Sequence, residues 1–170
     1  MKLMSLKINS LNDVFIQELR DIYNAENQLV GALPKMAEAA FSNELRMGFE
    51  HHLEQTKTQV MRLERIFQEL GLEASGENCE AMEGLISEGK DYISAEGKME
   101  ARDAGLIAVA QKVEHYEIAA YGTLRSLAKR LNNMSAADLL QQTLEEESET
   151  DKKLTAIAEQ QVNISAGVTQ

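Results

Sequence analysis

The sequence predicts an all-α protein: a four-helix bundle with a long crossover that contains a short fifth helix. The chain has one proline, no tryptophan and few aromatic residues, and it is rich in strong helix formers. Apolar residues recur at i, i+3, i+4 and i+7 in four long stretches, and no stretch alternates as a half-buried strand would. At 170 residues, the chain is a single domain by length, with room for a sizeable core.

Charge and cysteine content exclude several classes of protein. The formal net charge of −11 argues against nucleic acid or an anionic membrane as a partner, because phosphate binding requires a basic face. No apolar run approaches the roughly 18–20 residues of a membrane span, and the N-terminus has no hydrophobic signal core. Cys79 is the only cysteine, so no internal disulfide can form. Together these features predict a cytoplasmic protein.

The first two long helices have recognisable boundaries. Ser10 and Asp13 form a pattern like a capping box ahead of an apolar run, so the first helix should begin there. Pro34 lacks a backbone donor and predicts a kink or break near Val30–Leu33. A second helix is expected from about residue 44 to 70, where a glycine ends it.

The crossover occupies residues 71–97 and is the least regular part of the chain. Its glycines weaken helix formation, but apolar residues at helical spacing still predict a short helix over 81–92. The third long helix should run from 98 to 131, and the fourth should begin near Ser135. We expect a frayed, flexible tail over 163–170.

The third helix places two carboxylates on its apolar face. Glu114 and Glu117 share helical spacing with Ile107, Tyr121 and Leu124, so both should point into the core. A glutamate is almost never fully buried unless it is paired, because an isolated buried carboxylate is very costly. A cation is therefore expected beside them.

The other long helices offer similar inward side chains at helical spacing. Carboxylate-bridged di-metal sites in four-helix bundles take one glutamate from each of two helices and a Glu-x-x-His pair from each of the other two. A cluster of inward carboxylates with a histidine therefore predicts two bound metal ions, and both iron and manganese suit such a carboxylate-rich site. The candidate metal ligands are Glu26, His52, Glu114, Glu117, Glu147 and Asp151.

The second helix is the weakest part of this assignment. His52 lies in the middle of its apolar stripe, with Gln55 and Gln59 towards one edge, whereas Glu54 lies on nearly the opposite face. Each candidate also has an ordinary explanation, as a boundary glutamate, a hydrogen-bonded core histidine or the partner of Arg125. One arginine cannot neutralise four or five acids, and the set as a whole favours metal.

Several segments resemble a known family. QKVEHYEIAAYGTL on the third helix, DIYNAENQL on the first, AMEGLI in the crossover and LEEESETDKKL on the fourth are similar to the YciF/YciE family of bacterial stress-associated proteins. The resemblance covers Asp13 to Leu154. It implies a ferritin-like up-down-down-up bundle, usually dimeric, with a rubrerythrin-like di-iron site that includes Glu26, Glu114, Glu117 and Glu147.

The chain departs from the rubrerythrin pattern in its ligands and its cysteines. The second helix has no Glu-x-x-His on its buried face, and the fourth has Thr150 where a histidine would complete the pair. A single cysteine also cannot build the four-cysteine module that delivers electrons in rubrerythrins. Catalytic residues and an electron donor therefore stay unassigned.

These observations support two functions of different classes. The first is a stress-associated di-metal protein that reduces peroxide or oxygen, or that binds iron. The alternative is a non-catalytic helical structural or interaction protein whose metal site is vestigial or absent. A homodimer is expected in either case, from the resemblance and from crossover apolar residues that a second copy can cover, namely Met82, Leu85, Ile86 and Tyr92.

Overall fold

The computed structural model describes residues 6–167, and within them every regular element is a helix. This confirms the predicted all-α bundle with a helix in its crossover. Four long helices and one short helix are followed by a π-helical turn at Ala158–Val162 and a last short helix. The bounds are α1 Leu11–Ala39, α2 Asn43–Glu69, α3 Glu80–Ile93, α4 Met99–Arg130, α5 Met134–Ile157 and α6 Asn163–Gly167.

Helix α1 begins as its sequence predicts but does not break. The Ser10 hydroxyl accepts from the Asp13 amide at 3.1 Å, and the Asp13 carboxylate accepts from the Ser10 amide at 2.9 Å, which completes a capping box. Of the two outcomes predicted near Val30–Leu33, a kink or a break, the break is wrong, because α1 continues through Pro34 to Ala39. Leu33 and Met36 on either side of the proline are buried in the core, and their packing holds the helix together there.

The order of the helices follows from contacts at one end of the bundle. Asp103, at the start of α4, accepts from the backbone amides of Phe41 at 2.9 Å and Ser42 at 2.6 Å, in the turn between α1 and α2. Arg102 donates to the Ala39 carbonyl at 2.8 Å. Helix α4 therefore starts where α2 starts and runs parallel to it, so the bundle is up-down-down-up and the crossover spans its length.

The crossover packs tightly on its own chain. A Cβ at Gly76 would lie 2.4 Å from the Arg20 carbonyl oxygen, so only glycine allows the chain to pass this close to α1. Helix α3 then packs against α1 and α4. Of the apolar residues expected to meet a second copy, Met82 is fully buried and Tyr92 is 40% exposed. The apolar surface expected for a dimer is accordingly smaller than the sequence indicated.

The C-terminal segment differs from the expected frayed tail. Residues 158–162 form a π-helical turn and Asn163–Gly167 continue as helix, with Val162 buried in the core. The rest of the expected tail, residues 168–170, lies outside the described part of the chain. No helix between residues 6 and 167 is long and apolar enough to cross a membrane.

The Asp103 contacts predict a large loss of stability when that carboxylate is removed. Asp103→Ala removes a buried carboxylate and leaves two partly buried backbone amides without their charged acceptor, which should cost about 3 kcal/mol of unfolding free energy. Urea denaturation followed by circular dichroism measures this. Glu96→Ala, an exposed change in the loop before α4, is the control and should stay within about 0.5 kcal/mol of wild type. Equal stabilities for the two variants would contradict the assigned role.

Candidate metal centre

Four helices bring polar side chains into one buried layer. Glu26 comes from α1, His52 from α2, Glu114 and Glu117 from α4, and Glu147 from α5, and none is more than 3% exposed. Each occupies a position where helical periodicity continues an apolar stripe, so the folding of the core carries it inward. The sequence therefore predicted the burial of these five residues correctly.

A subset of this layer converges on one point. His52, Glu114, Glu117 and Glu147 each present a donor atom, and these atoms all lie within 4.8 Å of one another. The His52 Nε2 atom is 3.3 Å from Glu114 Oε1 and 3.8 Å from Glu147 Oε2. Imidazole and carboxylate groups are ligands for iron, manganese and zinc, so this group can hold a metal ion.

Most of the potential ligand atoms of this group lack hydrogen-bond partners in the protein. Neither carboxylate oxygen of Glu117 has an N–H or hydroxyl hydrogen-bond partner among the described residues, and the same holds for one oxygen each of Glu114 and Glu147 and for both ring nitrogens of His52. Buried polar groups are normally hydrogen-bonded, because an unsatisfied one is costly. So many unpartnered donor atoms aimed at one point fit a bound cation.

Glu26 lies beside the four-residue group and has a different environment. The Tyr121 hydroxyl donates to Glu26 Oε1, while Oε2 has no partner in the described part of the chain. Burial and the nearby Glu147 raise the pKa of Glu26 well above its ordinary value, although the hydrogen bonds with Tyr121 and Glu117 lower it in part. Glu26 thus has one oxygen held by protein and one oxygen available.

Helix α2 contributes a histidine and two neutral side chains to the layer, in place of an acid. The Thr56 hydroxyl donates to the His52 carbonyl at 2.9 Å. The Gln59 amide donates to Glu147 and, at 3.0 Å, to Glu146. Arg62 holds Glu146 through two bonds of 2.6 and 2.7 Å. Helical periodicity placed Gln59 towards one edge of the apolar stripe and did not predict its hydrogen bond to Glu147. The pairing of α2 with α5 cannot be deduced from either helix alone.

Asp151 lies apart from the convergent group. It accepts from Gln111 at 3.2 Å and lies 3.4 Å from Nε2 of the exposed His115, and its side chain is 21% exposed. Four residues after Glu147, it sits at the margin of the inner face of α5. Glu54 is exposed beside Lys57, on the outer face of α2 as its helical position predicted. Arg125, considered as a partner for one of the buried acids, donates to Gln141.

Burial and mutual repulsion shift the proton affinities of the cluster. Burial raises the pKa of Glu147 to about 7, from an ordinary 4.5. Burial and the nearby Glu147 raise the pKa of Glu114 well above its ordinary value, and burial and Glu26 do the same for Glu117. Burial, with His51 nearby, lowers the pKa of His52 to about 4. The imidazole is therefore neutral at pH 7, which is the form that ligates metals.

A small cavity leads to the edge of the group. It has a volume of about 50 Å³ and lies among apolar side chains of all four long helices. His52 and Glu114 line its buried side, and the exposed His51 and Lys153 line its outer side. Such a cavity admits a molecule the size of water, oxygen or peroxide to the donor atoms.

The pKa shifts predict how metal-free stability depends on pH. From pH 7 upward, His52 is neutral in the folded state and mostly neutral in the unfolded state, so the buried carboxyl groups dominate the dependence of stability on pH. The folded state keeps the Glu147 proton up to about pH 7 whereas the unfolded state loses it near 4.5, so Glu147 makes stability fall with rising pH until about pH 7.

We expect a loss of at least about 1 kcal/mol between pH 6.5 and 8, because Glu114 and Glu117 also have raised pKa values; urea denaturation in chelator measures it. Glu147→Gln should reduce the slope, while the exposed Glu145→Gln should retain it. Stability that rises over this interval in the metal-free wild type would contradict the raised carboxyl pKa.

Comparison with known proteins gives one consistent family. A family model described as a domain of unknown function, DUF892, matches residues 10–167. Protein YciF of Escherichia coli strain K12 is 48% identical over 162 residues, covering 95% of this chain and 98% of YciF.

Solved structures agree in fold. The crystal structure of the E. coli stress protein YciF has a TM-score of 0.88 at 49% identity, covering 92% of this chain and 99% of that one. YcfI from Rhodopseudomonas palustris, for which a structural role has been suggested, has a TM-score of 0.88 at 41% identity, with coverage of 92% and 99%. A Xanthomonas campestris protein at 20% identity shares the fold, with a TM-score of 0.74 and coverage of 92% and 95%. The chain belongs to the DUF892 family and is a relative of YciF.

Proposed function

We propose that this protein is a stress-associated carboxylate protein that binds two metal ions, iron in preference to manganese, and uses them to reduce peroxide or oxygen. Storage or sequestration of iron by the same site is the non-catalytic form of the proposal. The protein would act in the cytoplasm as a homodimer, and the homodimer rests on the family resemblance. The stress association is supported by the name of its relative, the E. coli stress protein YciF.

One observation carries the metal assignment. Glu117 is fully buried, and no N–H or hydroxyl group of the described residues bonds its carboxylate oxygens; the hydrogen-bonding neighbour it has is another buried acid, Glu26. Arg62 on α2 already forms an ion pair with Glu146, and Arg125 on α4 already donates a hydrogen bond to Gln141. A metal ion is the cation that this arrangement lacks, because a divalent charge can offset several carboxylates that no arginine reaches.

The donor set supports two positions for metal. The first is the convergent group of His52, Glu114, Glu117 and Glu147. The second lies towards Glu26, where its unpartnered oxygen and the second oxygen of Glu117 are both available. Glu117 would then contribute to both positions, as bridging carboxylates do in di-metal helical bundles.

The protein's own groups have defined tasks in this proposal. Bound iron would supply the electrons, which an external reductant must restore because the chain has only one cysteine. Tyr121 holds one oxygen of Glu26 and fixes its orientation. Gln59 does the same for Glu147, and the Arg62–Glu146 pair holds Gln59 in turn. The small apolar cavity admits the oxidant to His52 and Glu114 while the surrounding core excludes bulk water.

Metal binding should stabilise the native state. With free Mn²⁺, or Fe²⁺ without oxygen, at about a hundred times the dissociation constant, the Tm should rise by about 5–10 °C. Glu114→Ala and Glu147→Ala should abolish the rise, and His52→Ala should reduce it and lower the bound metal measured by elemental analysis. Glu54→Ala is the matched control on α2 and should leave both readouts unchanged, because Glu54 faces solvent. A Tm that ignores both metals would refute the metal site.

Peroxide reactivity separates catalysis from binding. Mixing peroxide with the Fe²⁺-loaded protein in a stopped-flow spectrometer should give a fast absorbance change with a second-order rate constant. Gly48 lines the cavity, and its Cβ position lies 3.7 Å from Ile157, so Gly48→Leu should narrow the cavity and slow the reaction several-fold at unchanged iron content. Gly84→Leu, on open surface of α3, is the control. Iron binding without a peroxide reaction would leave the binding role in place and remove the catalytic one.

A non-catalytic structural role is the second candidate. Thr56, Gln59 and Thr150 occupy buried positions near the cluster, so the site is poorer in histidine and acid than an inward Glu-x-x-His on α2 and α5 would make it. A structural role has also been suggested for YcfI. This candidate gains support if Glu114→Ala and Glu147→Ala lose several kcal/mol of stability without metal, because the acids would then serve internal hydrogen bonds.

A further inference from the structure

A second, larger cavity lies outside the metal centre. It opens between α1, α3 and α4 with a volume of about 280 Å³, near the lower end of the roughly 300–1,000 Å³ typical of ligand pockets. Leu29, Met36 and Val113 line this cavity and also the small one beside His52, so three side chains form the wall between them. We call the larger cavity the crossover pocket.

The crossover pocket is apolar in its depth. Its lining is aliphatic apart from two glycines, Gln28 and two lysines, and the Gln28 amide is already committed to Asn24 and the Cys79 carbonyl. Gly31 on α1 leaves open space, because a Cβ there would meet no atom within 4 Å. A polar ligand such as a sugar would bury hydroxyl groups without partners, which the free energy of binding disfavours.

The lysines give the pocket a charged mouth. Lys35 on α1 and Lys90 on α3 both line it, both are exposed, and neither has a carboxylate within ion-pair distance in the described part of the chain. This contrasts with Lys57 and Lys112, which pair with glutamates at 2.6 and 2.5 Å. In a chain of net charge −11, two uncommitted ammonium groups at one apolar opening indicate an anionic ligand group.

We propose that the crossover pocket binds the free, monomeric form of a single-chain carboxylic acid. The acyl chain lies against Leu29, Met36 and Val113, and the carboxylate lies between Lys35 and Lys90. Apolar burial provides the affinity and the two lysines select an anion over a cation. Binding here needs no metal, so this inference stands apart from the proposed redox function.

Isothermal titration calorimetry on the full-length protein tests the proposal with decanoate and decylammonium, which share a chain length and differ in charge. Decanoate should bind with one site per chain, and decylammonium at least tenfold more weakly. Gly31→Leu should weaken decanoate binding at least tenfold by filling the pocket. Its Tm should not fall, because leucine is a better helix former than glycine and the position is open.

Charge variants test the contribution of the two lysines separately from that of the apolar lining. Lys35→Gln combined with Lys90→Gln should weaken decanoate binding about tenfold and remove the preference over decylammonium. Lys129→Gln, an exposed lysine near the far end of α4, is the control and should bind decanoate as wild type does. Decanoate affinity that is unchanged in Gly31→Leu overturns the proposal, as does a preference for decylammonium.

Two other occupants give different results. If a second copy of the chain covers the pocket, light scattering should show that Gly31→Leu lowers the molecular mass, and wild type should not bind decanoate. If the lysines meet a lipid surface, wild type should co-sediment with vesicles of anionic phospholipid, and the double lysine variant should not. Either result without decanoate binding overturns the proposal.

Discussion

The bundle is built around an electrostatic constraint: buried carboxylates must share a core with leucine and phenylalanine. Glu26, Glu114, Glu117 and Glu147 are all excluded from solvent, and their pKa values are all raised. Protons shared between Glu26 and Glu117 and between Glu114 and Glu147 can relieve the repulsion in the metal-free protein, but they supply no positive charge. The fold thus keeps a charge requirement that its own side chains do not meet, and that requirement is the strongest guide to function.

The surrounding side chains hold the acids in place without neutralising them. Tyr121 and Gln59 each donate one hydrogen bond to a different carboxylate, and both donors are uncharged. The nearby guanidinium of Arg62 binds Glu146, the residue that precedes Glu147 in the chain. An arginine bonded directly to Glu147 would have made a stable ion pair and removed a metal donor. The observed arrangement orients the acids and leaves several of their oxygens available to a cation.

Much of this could be predicted from the sequence, because helical periodicity fixes which side of a helix a residue faces. That argument placed Glu26, His52, Glu114 and Glu117 inside, and it placed Glu54 outside. It is less decisive at the margins of a face, where Asp151 lies, because a shift of one helical step there decides between the core and the surface.

Contacts between helices could not be predicted in this way. The link from Gln59 to Glu147 joins residues 88 positions apart, and nothing in either helix indicates it. The continuity of α1 through Pro34 likewise depends on the packing of Leu33 and Met36 against other helices, which outweighs the local preference of proline for a helix end. The full burial of Met82 on the crossover helix α3 is a third case, since helical spacing does not show which neighbouring helix covers it.

The up-down-down-up order has a consequence for how the protein folds. The hairpin of α1 and α2 carries Glu26 and His52, while the hairpin of α4 and α5 carries Glu114, Glu117 and Glu147. Neither hairpin contains all five of these residues, and the crossover must pack along the bundle for the two hairpins to dock. Assembly of the layer is therefore a long-range event that closes a loop of about a hundred residues, and it belongs late in folding, after the local helical contacts have formed.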